Sequence, residues 1–349
     1  MLNPSDFFEK IQSHFESDLP FAVFRKPNSN KVVAFLQNSL SDQAVEALTE
    51  GFLIAPFDKN SSLLAIRKDE VLTSDFTNPK KNLTNPKTIQ WDNIDQKKHH
   101  HISLVQKAVK KIKTSELRKV VLASSLTTST NRTSPITLFK RILERYHNTF
   151  NFIFSHPQCG LWLGATPELL LSMDGKQFKT MALAGTRKVG GSTWGSKEVD
   201  EQAVVLSEIK HTLSKLPLGF ESLSIDKPET HVAGAIEHIL TRVSARVEAS
   251  SLEVARALHP TPAVGGVPKI EASQFISKYE NLDRSYYSGF FGPFQKKKTE
   301  WYVNLRSMRV DSYQTEVFVG GGVTAASDPH SEWEELLQKA DTMGRILFL

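Results

Sequence analysis

Three consecutive glycines, Gly320-Gly321-Gly322, set between Val319 and Val323, are the feature of this sequence hardest to fit into an ordinary fold. A β-rich run from Glu316 to Val319 leads into them. Lacking a Cβ, glycine tolerates positive φ and lets the backbone come close to another group. The run therefore predicts a turn whose bare N–H groups form an anion cradle. Ser327-Asp328-Pro329 reads as a stop and a helix start, and the helix that follows carries Glu332, Glu335 and Lys339. Positions three and four apart share a helix face, where stacked carboxylates repel by roughly a few tenths of a kcal/mol. A cation would remove that cost. Taken alone, Glu332-Trp333-Glu334-Glu335 is also the pattern of a solvated acidic face. Its place directly after the glycines is what suggests a ligand.

A chain of 349 residues can bury a substantial core in one large or two ordinary domains. Its 40% apolar and 23% charged content is that of a globular protein outside the membrane. Cys159 is the only cysteine, which excludes a disulfide framework and a thiolate metal cluster and fits a reducing cytosol. No signal peptide is visible at the N-terminus, and no run reaches the roughly 20 apolar residues of a membrane span. A cytoplasmic protein is expected. The net charge of +5 comes from scattered runs, including residues 107–113 and Lys296-Lys297-Lys298. They lack interleaved aromatics and match no nucleic-acid-binding motif, so no nucleic acid partner is expected. A mildly basic surface would instead steer an anionic metabolite.

Along the chain, residues 1–98 predict an N-terminal α/β portion packed on the same fold in a peripheral role, ending in a polar linker. Residues 21–24 and 32–36 read as strands about the turn Lys26-Pro27-Asn28-Ser29, and 52–55 and 63–66 as a second pair. Residues 73–98 carry Thr77-Asn78-Pro79-Lys80 and again Thr84-Asn85-Pro86-Lys87, and read as a linker or long loop. An amphipathic helix with Ile102, Val105, Val109 and Ile112 on one face then leads into a strand at 119–123. Ser134 and Pro135 open a second helix through Leu138, Ile142 and Leu143. Strands follow at 150–154, 161–164, 169–173 and 178–184. The glycine-rich loop 188–196 lacks the Lys-Ser/Thr pair of a phosphate loop. A helix from about Lys197 carries Glu198 and Glu201, where the macrodipole alone would justify two acids. Residues 236–247 read as strand and 252–258 as a short helix stopped by His259-Pro260-Thr261-Pro262. A further helix runs from Pro268 to about Glu280, and strands return at 287–291, 301–305 and 316–319. Grouped strands without strict βαβ alternation argue for α+β.

Seven of these segments, in order, resemble the chorismate-utilising enzymes: isochorismate synthase, anthranilate synthase component I, aminodeoxychorismate synthase and salicylate synthase. They are Lys119-Val120-Val121-Leu122-Ala123; Gly164-Ala165-Thr166-Pro167-Glu168-Leu169-Leu170; Leu183-Ala184-Gly185-Thr186-Arg187; Leu258-His259-Pro260-Thr261-Pro262-Ala263-Val264-Gly265-Gly266; the spaced set Tyr279-Glu280, Arg284, Tyr287 and Gly289; Leu305-Arg306-Ser307; and Gly320 to Glu335. The resemblance covers residues 99–349 and is much weaker before them. It implies a chorismate-binding, anthranilate synthase component I-like fold, with large antiparallel sheets and helices outside, acting as a monomer.

The same resemblance implies site residues. Glu201 and Glu335 would bind Mg²⁺ against the ring carboxylate of chorismate, with Glu198 and Glu332 holding waters beside it. Two carboxylates, waters and substrate oxygens suit Mg²⁺. The second substrate carboxylate would meet Arg306, Tyr287, Lys339 and the backbone of Gly320 and Gly321, since a planar guanidinium fits a carboxylate bidentately. Gly185 and Thr186 would line the ring, and His259 would lie near it. Glu168 stands at the general-acid position and needs a raised pKa to donate a proton near neutral pH. Lys119 stands where water-adding members carry their general base and ammonia-using members typically carry Gln. Ala184 replaces the nucleophilic Lys of aminodeoxychorismate synthases. The expected activity is therefore isochorismate synthase, with salicylate synthase as the nearest alternative; anthranilate synthase component I and a non-catalytic chorismate-fold protein are more distant ones. Menaquinone, siderophore and salicylate pathways all remain open to the product. One departure is Glu201-Gln202, where the family often shows Glu-His.

Overall fold

Among the described residues, apolar strands broken by turn residues build two antiparallel sheets of nine strands each. The computed structural model describes residues 1–41, 43–77, 89–129, 133–191, 193–216, 223–233 and 236–347. In chain order the strands are β1 (Phe21–Arg25), β2 (Lys31–Leu36), β3 (Glu50–Ala55), β4 (Leu64–Ile66), β5 (Glu70–Asp75), β6 (Lys119–Ser129), β7 (Phe150–His156), β8 (Gly160–Thr166), β9 (Leu169–Asp174), β10 (Gln177–Lys188), β11 (Ser224–Ile225), β12 (Glu229–Ala233), β13 (Ile236–Arg246), β14 (Gly266–Val267), β15 (Phe290–Gln295), β16 (Lys298–Val303), β17 (Ser307–Val310) and β18 (Gln314–Val323). The helices are α1 (Pro4–Glu16), α2 (Ile94–Thr114), α3 (Pro135–Arg145), α4 (Ser196–Ser214), α5 (Ser251–Leu258), α6 (Lys269–Tyr279) and α7 (Pro329–Leu347). One sheet runs β14-β6-β18-β17-β8-β7-β1-β2-β5; the other runs β11-β13-β10-β9-β16-β15-β3-β4, with β12 added against β13.

Helix ends form where their chemistry directs. The Ser134 side chain accepts from the Ile136 N–H at the start of α3 and Pro135 takes its first turn; Ser250 and Glu253 close a capping box on α5. The apolar faces of α1, α3 and α7 cover the first sheet through Phe7, Phe139, Leu336 and Met343. Those of α4 and α5 cover the second through Val205, Ile209 and Val254. Between the sheets lies an aromatic layer that includes Phe24, Phe52, Phe150, Phe152 and Phe291. Ring centroids sit 4.2 Å apart for Phe152 and Phe291 and 4.1 Å apart for Phe150 and Tyr302, close enough for aromatic pairing to add to burial.

Two expectations change here, and a third falls largely outside the described residues. The N-terminal strands are interleaved with the rest, not peripheral: β1 lies between β7 and β2, and β3 pairs with β15 in the other sheet. The cause is visible in β1, whose five residues are all buried; a strand apolar on both faces needs cover on both. The repeated Asn-Pro-Lys tetrads fall almost wholly on 78–88, outside the described residues. Most consequential, Gly320-Gly321-Gly322 do not turn. β18 runs straight through them, with Gly320 opposite Ala123, Gly321 opposite Leu122 and Gly322 opposite Val121. None of the three has positive φ. The ladder with β6 holds them extended, and what glycine contributes is a bare strand face.

Phe291→Ala, which empties the centre of the aromatic layer, should cost about 3–5 kcal/mol. Equilibrium urea unfolding checks this, and an unchanged midpoint would contradict the packing described.

Candidate active site

β17 accompanies β18 only as far as the pairing of Ser307 with Phe318. Beyond that point the glycine face of β18 opens on a cavity of about 700 Å³ including its mouth. Its wall takes Lys119 and Val121 from β6, Glu168 from the β8–β9 turn, residues 183–186 from β10, Glu201 from α4, His238 from β13 and Lys339 from α7. Ala263, Val264, Tyr287, Ser288 and Arg306 complete it from connecting segments.

At one end sit an amine and a carboxyl. Lys119 Nζ lies 2.8 Å from Glu201 Oε1, with the lysine side chain only 3% exposed. A Cβ on Gly322 would fall 2.7 Å from that same Oε1 and 3.0 Å from Lys119 Cε, so the pair occupies the space a side chain would need. Glu168 is buried, and loss of hydration pushes its carboxyl up to about 7, against smaller opposing effects from the Thr261 hydroxyl and the Lys119 charge. Thr261 Oγ1 faces Glu168 Oε1 at 3.4 Å.

At the other end the groups suit an anion. Lys339 Nζ donates to Gly320 O at 3.0 Å and pairs with Glu335 Oε1 at 2.7 Å. Among the described residues the hydrogen-bond partners of Arg306 are neutral: Thr342 Oγ1 and His238 Nε2, each at 3.2 Å. His238 Nδ1 lies 2.9 Å from Gly185 O. A carbonyl can only accept, so the proton belongs on Nδ1 and Nε2 accepts from Arg306. Burial, then the charges of Arg306 and Lys339, hold this imidazole well below its usual range, hence neutral.

The carboxylates come from two helices. Gly185, at φ +73°, lets α4 approach β10 so closely that a Cβ there would meet Glu198 Cβ at 3.0 Å. That contact sets the first two turns of α4, which carry Glu198 and Glu201. On α7, Glu332 is buried, and a Cβ on Gly321 would lie 3.7 Å from its Oε2. Glu201 and Glu335 carry hard carboxylate oxygens of the kind a small divalent cation takes, and each is paired with an ammonium that such a cation would have to displace. Among the described residues no cluster of three or more His, Cys, Asp or Glu stands in metal-binding geometry, so such a cation would rely on few protein ligands.

Of the residues singled out from sequence, Lys119, Glu168, Gly185, Thr186, Glu201, Tyr287, Arg306, Gly320 and Lys339 line this one cavity. Glu335 reaches it through Lys339. Gly321 does not line it: strand alternation turns it toward Glu332. His259 does not line it either; its Nε2 is 2.9 Å from Phe57 O in the wall behind. The histidine at the cavity is His238, which sequence reasoning passed over. Its place on β13 opposite Thr186 of the Ala-Gly-Thr segment comes from strand register, which the weak alternation of 236–247 does not reveal.

Residues 40–348 match the family model described as chorismate binding enzyme. The chain belongs to that family. Within it, the chain is 31% identical over 263 residues to "Isochorismate synthase MenF" of Pasteurella multocida, covering 70% of this chain and 60% of that protein. It is 28% identical over 349 residues to "Vibriobactin-specific isochorismate synthase" of Vibrio cholerae, covering 94% and 85%. The fold is shared with a crystal structure from Bacillus anthracis described as a 2,3-dihydroxybenzoate-specific isochorismate synthase, with TM-score 0.82, 24% identity and coverage of 96% and 98%. The chain thus spans about 60% of the length of the Pasteurella relative.

A carboxyl raised to about 7 stabilises the fold fully below its ordinary value of 4.5, and that stability is lost as pH rises to about 7. Glu168→Gln should therefore gain stability relative to the parent protein between those pH values, levelling off above 7 at on the order of 3 kcal/mol. Urea midpoints at pH 4.5 and 8 test this; equal differences at both would contradict a buried neutral acid.

Proposed function

We propose that this protein is an isochorismate synthase, adding water at C2 of chorismate as the C4 hydroxyl leaves and the two ring double bonds shift. The observation that carries the proposal is the placing of buried Lys119 and buried Glu168 on one cavity that Arg306 and Lys339 also line. The names of the relatives support the same reading.

Lys119 takes the proton from the attacking water as general base. Glu168, held protonated near neutral pH, gives a proton to the departing hydroxyl, and the balance is an isomerisation. Arg306, with its hydrogen bonds spent on neutral partners, keeps its charge for the enolpyruvyl carboxylate. Tyr287 and Lys339 lie beside it, and the neutral His238 fixes its orientation. Glu201 and Glu335 would hold Mg²⁺, which supplies positive charge for the ring carboxylate when bound. Glu201 then has two claimants, the Lys119 amine and the cation. Ala184, small and apolar at the cavity wall, offers no amine to compete with water. No described helix is long and apolar enough to cross a membrane, and a cytoplasmic monomer is the form we propose.

Purified protein given chorismate and Mg²⁺ should yield isochorismate on chromatographic separation. Fluorescent salicylate would point to continued pyruvate elimination, and anthranilate formed with ammonia would overturn the assignment. Lys119→Ala should cut turnover by at least about 100-fold while chorismate still binds; retained turnover would remove the base role. Turnover should fall as pH rises through about 7, where Glu168 loses its proton.

A further inference from the structure

Outside the cavity lies a pair of charges that the proposed chemistry leaves unused. Glu280 caps α6 and Arg284 follows four residues later, with side chains 1% and 2% exposed. Arg284 Nε reaches Glu280 Oε1 and Nη2 reaches Oε2, both at 2.6 Å. Their remaining hydrogen bonds go to backbone. Glu280 Oε2 accepts from the Ala123 N–H at 2.8 Å, and Arg284 Nη2 donates to Val121 O at 2.7 Å. Arg284 Nη1 donates to Val264 O at 2.9 Å. One ion pair therefore grips β6 at two points, just beyond Lys119, and grips the 259–266 segment at a third. Thr261, the neighbour of Glu168, belongs to that segment, and Val121 N–H crosses directly to Gly265 O at 2.8 Å. The guanidinium also lies 4.3 Å from the centre of the Phe57 ring, and Phe57 O takes His259 Nε2.

Ordinary stabilisation is a weak explanation for such a pair, since well-packed apolar residues can replace a buried ion pair at little or no cost in stability. They could not offer donors and acceptors at three fixed backbone points. We infer that Glu280 and Arg284 are positioning residues, holding the strand that carries Lys119 and the segment that contacts Glu168 at the separation the reaction needs. The kinetic part of this inference rests on the isochorismate synthase reading. The structural part does not.

Arg284→Lys keeps the charge and loses the fork, and Glu280→Gln keeps the shape and loses the charge. Arg25→Lys serves as a comparator, because Arg25 is equally buried and bonds Asn151, Leu143 O and Tyr146 O away from the cavity. For Arg284→Lys, kcat should fall about 10- to 100-fold with KM changed less than about threefold, as misplacement of catalytic groups predicts. Amide hydrogen exchange should quicken together in residues 119–123 and 260–266. Arg25→Lys should lower Tm, leave kcat within about twofold and leave exchange in both segments unaltered, since local openings follow local contacts. Should Arg284→Lys fail to fold, Glu280→Gln carries the same comparison. A parental kcat in these variants, a loss confined to KM, or exchange in the two segments no faster than in Arg25→Lys would overturn the inference. A parent protein that makes no isochorismate would sink the functional reading, while the exchange comparison would still decide the positioning role.

Discussion

The pairing of β18 with β6 is the constraint from which the site follows. Ten consecutive residue pairs, from Gln314 with Ser129 to Val323 with Val120, set one register. Because side chains alternate across a strand, that register turns Gly320 and Gly322 toward the cavity and Gly321 toward α7. A slip of one residue would exchange the faces, and in one direction it would bring Val323 to the position of Gly322, into the space now held by Lys119 and Glu201. The close approach of Glu201 to Gly322 shows how little room there is. Glycine matters here for the volume it leaves empty, not for the φ angles it permits.

Around that bare face, the two helices that bring carboxylates are fastened by their opposite sides. α7 buries Trp333, Leu336, Ala340 and Met343 against the first sheet, which leaves Lys339 to the cavity with Glu335 paired to it. α4 buries Val205, Ile209 and Leu213 against the second, which leaves Glu201. The cavity thus lies where the two sheets and their covering helices meet. Its lining carries the neutral acid Glu168, the Lys119–Glu201 ion pair, the Arg306 guanidinium, and Lys339 paired with Glu335. Low hydration strengthens each of these interactions, and it is also what keeps Glu168 protonated.

Much of this was legible in the sequence, and the misses share a cause. Local signals placed helices such as α3, where Ser134 and Pro135 announce the start, and strands such as β7 and β9. Motifs shared with the chorismate-utilising enzymes brought Lys119, Glu168, Glu201 and Arg306 to one list, and the fold brings them to one cavity. Long-range register was not legible. Glycines commonly mark turns, and only the β6 ladder makes this run a strand. His259 stands in a motif that points to the ring, whereas His238 gains its place from pairing with Thr186. Residues 1–75 carried few motifs, yet their strands are integral to both sheets. The Glu280–Arg284 pair was visible only as spacing, since its backbone partners lie far away in the chain.

The central proposal is that Lys119 and Glu168 act together on one ring, delivering water to C2 and removing the hydroxyl from C4. Turnover of chorismate in ¹⁸O-labelled water, followed by mass analysis of the product, tests this most directly. The account predicts one solvent-derived oxygen in each isochorismate formed, at the ring hydroxyl on C2. Isochorismate carrying no label would mean that the original hydroxyl had migrated, and would contradict the account.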